Sequence, residues 1–81
     1  MFTNKATDGR NNICGQEIAR LRKELGKSQR QFADMLQIAG LDVDKNAIQR
    51  IEAGQRFVTD IEIVFLAKVL NVKVADLLGI A

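Results

Sequence analysis

Four side chains between residues 45 and 50 have the chemistry to hydrogen-bond the bases and phosphates of a nucleic acid. A helix would place them on one side, at positions i, i+1, i+4 and i+5. They are Lys45, Asn46, Gln49 and Arg50. An arginine can donate two hydrogen bonds to guanine, and an asparagine or glutamine amide can pair with adenine. We interpret this set as a candidate surface for contacting base edges in the DNA major groove.

Two helices are predicted to position this surface: helix 2, from Ser28 to about Ala39, and helix 3, from Asp44 to Gly54. Ser28 and Asp44 are N-cap residues, whose side-chain oxygens accept hydrogen bonds from backbone N–H groups of the first turn. Gly54 ends the second helix, because glycine adopts the left-handed closing conformation without strain. The faces predicted to be buried hold Phe32, Ala33, Met35 and Leu36 in the first helix and Ala47, Ile48 and Ile51 in the second.

The residues from Ser28 to Arg56 resemble the helix-turn-helix of the phage repressor/Cro-type, or XRE, family. The family pattern runs S-Q-x-x-L-A-x-x-L, a turn, and then x-x-x-I-x-x-I-E-x-G-x-R. Its defining positions correspond here to Ser28, Gln29, Phe32, Ala33, Leu36, Ile48, Ile51, Glu52, Gly54 and Arg56. The resemblance extends over residues 14–78. It implies an all-α, lambda repressor-like bundle of five helices and a sequence-specific DNA-binding regulator, expected to be a repressor.

The connection between the two helices is longer here than in the family pattern. Ile48 stands fifteen residues after Ala33, which is about five more than the family spacing. No helix-breaking residue precedes Gly40. We therefore expect helix 2 to run about one turn longer than usual, to end near Ala39, and to be followed by a turn around residues 40–42.

Further roles are expected in phosphate binding and in joining the helices to one another. Gln29 is expected to hold a backbone phosphate with its amide and the N-terminal N–H groups of helix 2. Arg30, Lys45 and Arg56 would add positive charge toward phosphates. Arg22 is expected to pair with Glu52, because a guanidinium would compensate a carboxylate that the dipole of helix 3 disfavours. Two independent surface charges are the alternative.

Three more helices complete the predicted bundle. Helix 1 would be capped by Asn11 or Asn12 and would run to about Leu25. Its apolar stripe is predicted to contain Cys14, Ile18, Leu21 and Leu25. Helix 4 would begin with a Thr59–Glu62 capping box and, being apolar on most sides, would be the central buried helix. Helix 5 would span residues 74–78, with a weak cap because Lys73 stands where the family has serine or threonine.

The length and composition are those of one small domain. At 81 residues the chain can build one modest core, predicted within residues 12–81, and residues 1–11 are predicted to form a flexible tail. In that tail Lys5 and Arg10 are expected to be solvated rather than to form a basic arm on DNA. No apolar stretch resembles a signal peptide or a membrane span, so that the cytoplasm is the expected location.

The residue types present argue against catalysis and metal binding. The chain has one cysteine and no histidine, so that no zinc site is expected. Cys14 is predicted to be a small buried residue rather than a nucleophile or a redox sensor. No glycine-rich phosphate loop and no suitably spaced carboxylate pair is present. We therefore predict a protein that is not an enzyme, with no cofactor and no small-molecule effector.

The charge distribution favours an anionic partner for the helix-turn-helix half of the chain. Residues 20–56 contain eight basic and five acidic side chains, whereas residues 57–81 contain two basic and three acidic ones. The excess of positive charge on the helix-turn-helix half would face the phosphates of DNA. An ordinary surface of mixed charge is the alternative.

The expected partners are a double-stranded DNA operator and a second copy of the chain. Several apolar residues near the C-terminus exceed what a five-residue helix can bury. They are Val72, Val74, Leu77, Leu78 and Ile80. An exposed apolar patch often marks an interface, so that a symmetric homodimer is predicted through helix 5. A monomer with a folded-back end is one alternative, and an antitoxin-like or adaptor module that binds another protein is the alternative function.

Overall fold

The structure, a computed structural model, describes residues 5–80, which contain five α-helices and no strand. The helices are α1 (Gly15–Glu24), α2 (Gln29–Ala39), α3 (Lys45–Glu52), α4 (Asp60–Leu70) and α5 (Val74–Leu78). Helix α2 packs against α3 and α4, and α1 packs against the same two helices. None of these helices is long and apolar enough to cross a membrane. The predicted all-α, five-helix architecture is confirmed.

Local sequence sets where α2 and α4 begin. The hydroxyl of Ser28 accepts a hydrogen bond from the Gln31 amide at 3.0 Å, and the Gln31 side chain accepts one from the Ser28 amide at 2.8 Å. Thr59 and Glu62 form the same reciprocal pair at the start of α4, at 3.1 and 3.0 Å. Both capping boxes satisfy N–H groups that no helical carbonyl can reach. Both predicted N-caps are therefore confirmed.

The start of α1 differs from the prediction. The helix begins at Gly15, with Cys14 in the N-cap position and no hydrogen bond from its side chain. The amide of Gly15 donates instead to Oδ1 of Asn12 at 2.8 Å. Asn12 thus satisfies a first-turn amide, as predicted, but it does so from outside the helix because a short turn intervenes.

The core lies where α1 to α4 meet. The largest fully buried side chains of the core are those of Ile18, Phe32, Leu36, Ile48, Ile51, Leu66 and Leu77. Cys14 joins them, and burial raises the pKa of its thiol, which fits its predicted role as a small apolar residue. Leu25 does not: at 47 % exposure its inclusion in the buried stripe of helix 1 was wrong, because the helix ends at Glu24.

Helix α4 is not the central buried helix that its composition predicted. Its buried residues are Leu66, Ala67 and Leu70, all in its second half. Ile61 and Val64, in the first half, are 66 % and 53 % exposed. A domain of this size has too few elements to surround a helix on every side, and here α1, α2 and α5 cover only part of α4.

The long connection between α2 and α3 follows the predicted course. Helix α2 ends at Ala39, and Gly40 has a left-handed φ of 112°, a conformation that favours glycine. The connection then returns to the core through Val43, which is 5 % exposed. The side-chain Nε2 of Gln37 donates to the Val43 carbonyl at 2.7 Å. The extra residues therefore form an anchored connection, in which the core position of Val43 had not been predicted.

The C-terminal helix is anchored mainly by one residue. Leu77 is 1 % exposed and Ile80, beyond the helix, is 72 % exposed. Val72, Val74 and Leu78 are half-buried against the core. Lys73 contributes no side-chain cap, but the Asp76 carboxylate accepts from the Lys73 amide at 3.0 Å. The cap of helix 5 is thus weak, as predicted, and Ile80 is the most exposed residue of the predicted apolar patch.

Candidate nucleic-acid interface

Helix α3 is held at both ends by features of its own sequence. At its start, Oδ1 of Asp44 accepts from the Ala47 amide at 2.8 Å. At its end, Gly54 takes the positive φ of 78° that closes the helix. Between them, Ile48 and Ile51 have 0 % and 1 % exposure. Two fully buried isoleucines one turn apart leave little freedom for the helix to rotate, so its opposite face points in a defined direction.

That opposite face carries the four polar side chains singled out from the sequence. Lys45, Asn46, Gln49 and Arg50 are all exposed. Within residues 5–80 none of these side chains forms a hydrogen bond or an ion pair. An exposed surface of donors with no protein partner can bind an external acceptor without breaking an internal contact.

A groove separates the first turn of α3 from α2. Its lining residues are Arg30, Ala33, Asp34, Gln37, Asp44, Lys45 and Asn46. Arg30 is exposed on the α2 side of this groove, so that its charge and that of Lys45 border the same opening. Asp34 lies one turn after Arg30 on α2, and the sequence interpretation had not considered it part of this surface.

The back of α3 is joined to α1 by an ion pair. Nε and Nη2 of Arg22 donate to the two carboxylate oxygens of Glu52 at 2.6 and 2.9 Å. Both side chains are only 9 % exposed, and Nη1 of Arg22 donates to the Lys27 carbonyl at 2.7 Å. The hydrogen bond to Glu52 raises the pKa of Arg22. This bidentate pair locks the angle between α1 and α3.

Gln29 belongs to the same network. Its Nε2 donates to Oε1 of Glu52 at 3.0 Å, so that Arg22, Gln29 and Glu52 connect α1, α2 and α3. The side chain is half-buried. The amide nitrogen therefore has a protein partner, and the phosphate contact expected of Gln29 stays a prediction that would use its remaining groups or exchange this bond.

Arg56 is also held by a carboxylate. Its guanidinium donates to both oxygens of Glu62 at 2.9 and 2.8 Å, and the side chain keeps 32 % of its surface exposed. The hydrogen bond raises the pKa of Arg56 and lowers the pKa of Glu62. The predicted phosphate contact of Arg56 remains open to test, with Glu62 fixing the guanidinium in place.

Residues before α1 contact the end of α3, so the prediction that Arg10 is solvated was wrong. Arg10 donates to the Glu52 carbonyl at 2.8 Å, and Asn12 donates to the Ile51 carbonyl at 3.0 Å. No pattern of neighbouring residues could predict these contacts, because the partners are about forty positions apart in the sequence. The boundary between a tail and a domain at residue 11 stays a prediction, and residues 1–4 of that tail lie outside the described residues.

Comparison with known proteins matches residues 18–77 to a helix-turn-helix family. No curated protein matches the chain. Among solved structures, the restriction–modification controller protein C.AhdI from Aeromonas hydrophila is similar, with 29 % sequence identity and a TM-score of 0.69. The similarity covers 80 % of this chain and 91 % of C.AhdI. The matched residues include all of α2, α3 and α4.

Proposed function

Because the chain belongs to the XRE-type helix-turn-helix family of DNA-binding transcription regulators, we propose that α3 is its recognition helix and reads a specific operator. One observation carries the proposal: the exposed face of α3 presents Lys45, Asn46, Gln49 and Arg50 with no partner among residues 5–80. The opposite face is buried. A helix inserted into the major groove contacts base edges through such a face.

The proposed contacts divide into base readout and phosphate binding. Arg50 would donate two hydrogen bonds to a guanine, and Asn46 or Gln49 would pair with an adenine. Lys45 stands at the start of α3, where it can reach a base or a phosphate. Gln29, Arg30 and Arg56 would hold the backbone on either side and set the register of the domain on DNA.

The direct test is operator selection by the purified protein. Duplexes containing a random segment are selected for binding, and the enriched sequence is compared with a scrambled duplex in gel-shift titrations at several salt concentrations. We expect a preferred sequence, an affinity that falls steeply with salt, and at least a thousandfold preference over the scrambled duplex at about 0.15 M salt. No enriched sequence would overturn the proposal and favour the adaptor or antitoxin-like alternative.

We further propose that the protein acts as a repressor. A domain bound in the major groove occupies DNA that RNA polymerase would otherwise use if the operator overlaps a promoter. A reporter whose promoter contains the selected operator should then be less active when the protein is expressed. The similar C.AhdI is a restriction–modification controller protein. A reporter that becomes more active when this protein is expressed would contradict the repressor role and indicate an activator.

A symmetric homodimer is the proposed assembly, because one domain of this size is small for tight specific binding. Next to α5 an apolar groove is lined in part by Ile13, Val58, Ile63 and Leu78. Ile13 and Ile80, which follows α5, are 60 % and 72 % exposed. A second copy covering these residues would bring two recognition helices about 34–36 Å apart, which is one turn of DNA.

The assembly is tested by sedimentation equilibrium at tens of micromolar. Ile80→Glu places a charge in the proposed contact and should give a monomer. Ile61→Glu is the matched control, because Ile61 is equally exposed, at 66 %, but lies on the outer face of α4. Dissociation by Ile61→Glu alone would move the interface to α4, and a monomeric wild type would contradict the dimer.

A further inference from the structure

The end of α3 is covered by three consecutive residues that lie before α1. Arg10, Asn11 and Asn12 together donate hydrogen bonds to five carbonyls of the segment that ends α3. The acceptors are the carbonyl oxygens of Ile51, Glu52, Gly54, Gln55 and Arg56. The last four carbonyls of any helix lack partners inside the helix. The carbonyls of Ile51 and Glu52 belong to this group in α3, and the other three acceptors lie in the segment that follows the helix.

Asn12 makes the most internal of these contacts. Its side chain is nearly buried, at 9 % exposure. Nδ2 donates to the Ile51 carbonyl at 3.0 Å and to the Arg56 carbonyl at 2.8 Å, while Oδ1 accepts from the Gly15 amide at 2.8 Å. One amide therefore joins the end of α3, the segment after it and the start of α1.

Arg10 occupies a slot that two glycines leave open. Its Nη2 donates to the Glu52 carbonyl at 2.8 Å, and its positive charge lies at the negative end of the α3 dipole, where a cation is favoured. A Cβ on Gly54 would lie 2.6 Å from Cζ of Arg10, and a Cβ on Gly15 would overlap the Ile51 carbonyl. Larger residues at these positions would displace the arginine or separate α1 from α3.

From these contacts we infer that Arg10, Asn11 and Asn12 form a clamp that positions the recognition helix and that operator affinity depends on it. These clamp residues precede the family match, which begins at residue 18, so that the family pattern does not account for them. Helix α3 has only eight residues, and a helix so short depends on tertiary contacts for its order. The inference rests on the proposed function of α3 as the reading element.

Physical positioning and direct DNA contact make different predictions for Arg10. A residue that contacts phosphate weakens binding to all sequences when it is removed and lowers the salt slope by about one. A residue that only orders α3 leaves the salt slope unchanged and reduces operator binding more than non-specific binding. The ratio of the two affinities therefore separates the roles.

The experiment compares Arg10→Met with Lys68→Met, since both remove one positive charge and Lys68 is exposed on α4. Binding to the selected operator and to a scrambled duplex is measured at several salt concentrations, at a temperature where circular dichroism shows every variant folded. For Arg10→Met we expect about a five- to tenfold loss of operator affinity with an unchanged salt slope. Lys68→Met should bind the operator like the wild type, and Arg10→Lys should recover part of the loss because it keeps a charge and a donor.

A second measurement needs no DNA, so that it distinguishes failure of the clamp from failure of the proposed function. Amide hydrogen exchange of Ala53, Gly54 and Gln55, which close α3, should become about five- to tenfold faster in Arg10→Met, while amides of α4 keep their rates. Unchanged exchange, unchanged operator affinity, or a salt slope lowered by about one would each overturn the clamp. If no operator is found for the wild type but exchange is faster in Arg10→Met, the proposed function is contradicted and the contact of Arg10 with the end of α3 is not.

Discussion

The two sides of α3 differ in almost every physical respect. The outward side carries exposed Lys45 and Arg50 without protein partners in the described range of residues 5–80. The inward side and the C-terminal end are held by buried isoleucines, by the pair of Arg22 with Glu52, and by residues 10–12. The contrast teaches how a short helix can present long, mobile side chains accurately: its backbone is fixed from behind, and only the side chains remain to adapt.

The largest effect is expected from breaking the inward side. Glu52→Ala leaves the guanidinium of Arg22 buried without its carboxylate and removes the acceptor of Gln29. We expect the free energy of unfolding to fall by about 3–5 kcal/mol, as for other buried pairs that lose one partner. Urea unfolding of the wild type and of Glu52→Ala at neutral pH measures this loss of stability.

Glu24→Ala is the control for that measurement, since Glu24 also pairs with an arginine but its side chain is 61 % exposed. Its stability should stay close to that of the wild type, because exposed ion pairs contribute little. Similar losses from Glu52→Ala and Glu24→Ala would show that burial does not distinguish the two pairs and would weaken the contrast between the sides of α3.

The outward side should instead control sequence recognition. Arg50→Ala is expected to weaken operator binding by about 1–3 kcal/mol and to relax the preference at one base pair. Gln29→Ala should weaken operator and scrambled duplexes alike, because its proposed contact is with a phosphate. Competition titrations with single-base operator variants distinguish the two. A loss from Arg50→Ala that is equal for all sequences would remove α3 as the reading element.

A smaller effect is expected at the partly buried pair of Arg56 with Glu62. Because the pKa of Glu62 is lowered in the folded protein, its carboxylate stabilises the fold above the ordinary glutamate pKa, and this contribution disappears as the pH falls through the lowered value. Glu62→Gln should therefore cost about 1 kcal/mol at pH 7 and progressively less in acid. Urea midpoints between pH 7 and pH 3 provide the test, and a difference that grows in acid would contradict the assignment.

The smallest effect concerns the stability of the outward side. Gln49→Ala should leave the free energy of unfolding within about 0.5 kcal/mol of the wild-type value, because the side chain is exposed and has no hydrogen-bond partner within the described chain. Thermal unfolding followed by circular dichroism is sufficient. A larger loss would mean that the outward side also supports the fold and that the two sides are less separate than described.

Helix ends were predictable wherever one or two neighbouring residues determine them. Ser28, Asp44 and Thr59 each accept from an amide three residues later, which is a local geometry that the sequence displays directly. The left-handed Gly40 and Gly54 mark ends for an equally local reason. Composition was a poorer guide to burial: α4 is apolar along most of its length, yet Ile61 and Val64 face outward.

The candidate surface on α3 could likewise be assigned from spacing, but the groove beside it could not. Lys45, Asn46, Gln49 and Arg50 share a face because helical periodicity requires it. Asp34 lines the groove beside Lys45 and Asn46 only because α2 and α3 pack at a particular angle. That angle depends on contacts among three helices, including Gln29 with Glu52, and no periodicity encodes it.

The sequence by itself determined the five helices, the N-caps of α2, α3 and α4 and the side of α3 that faces outward, because each depends on residues within one or two turns. Only the tertiary structure decided which of the apolar residues are covered and how the back of α3 is held. Arg10 and Glu52 are 42 positions apart, and their contact exists because two glycines let α1 and α3 approach closely. Such contacts depend on the folded arrangement of several elements at once, so that Arg10, which was predicted to be solvated, instead donates to the end of the helix proposed to read DNA.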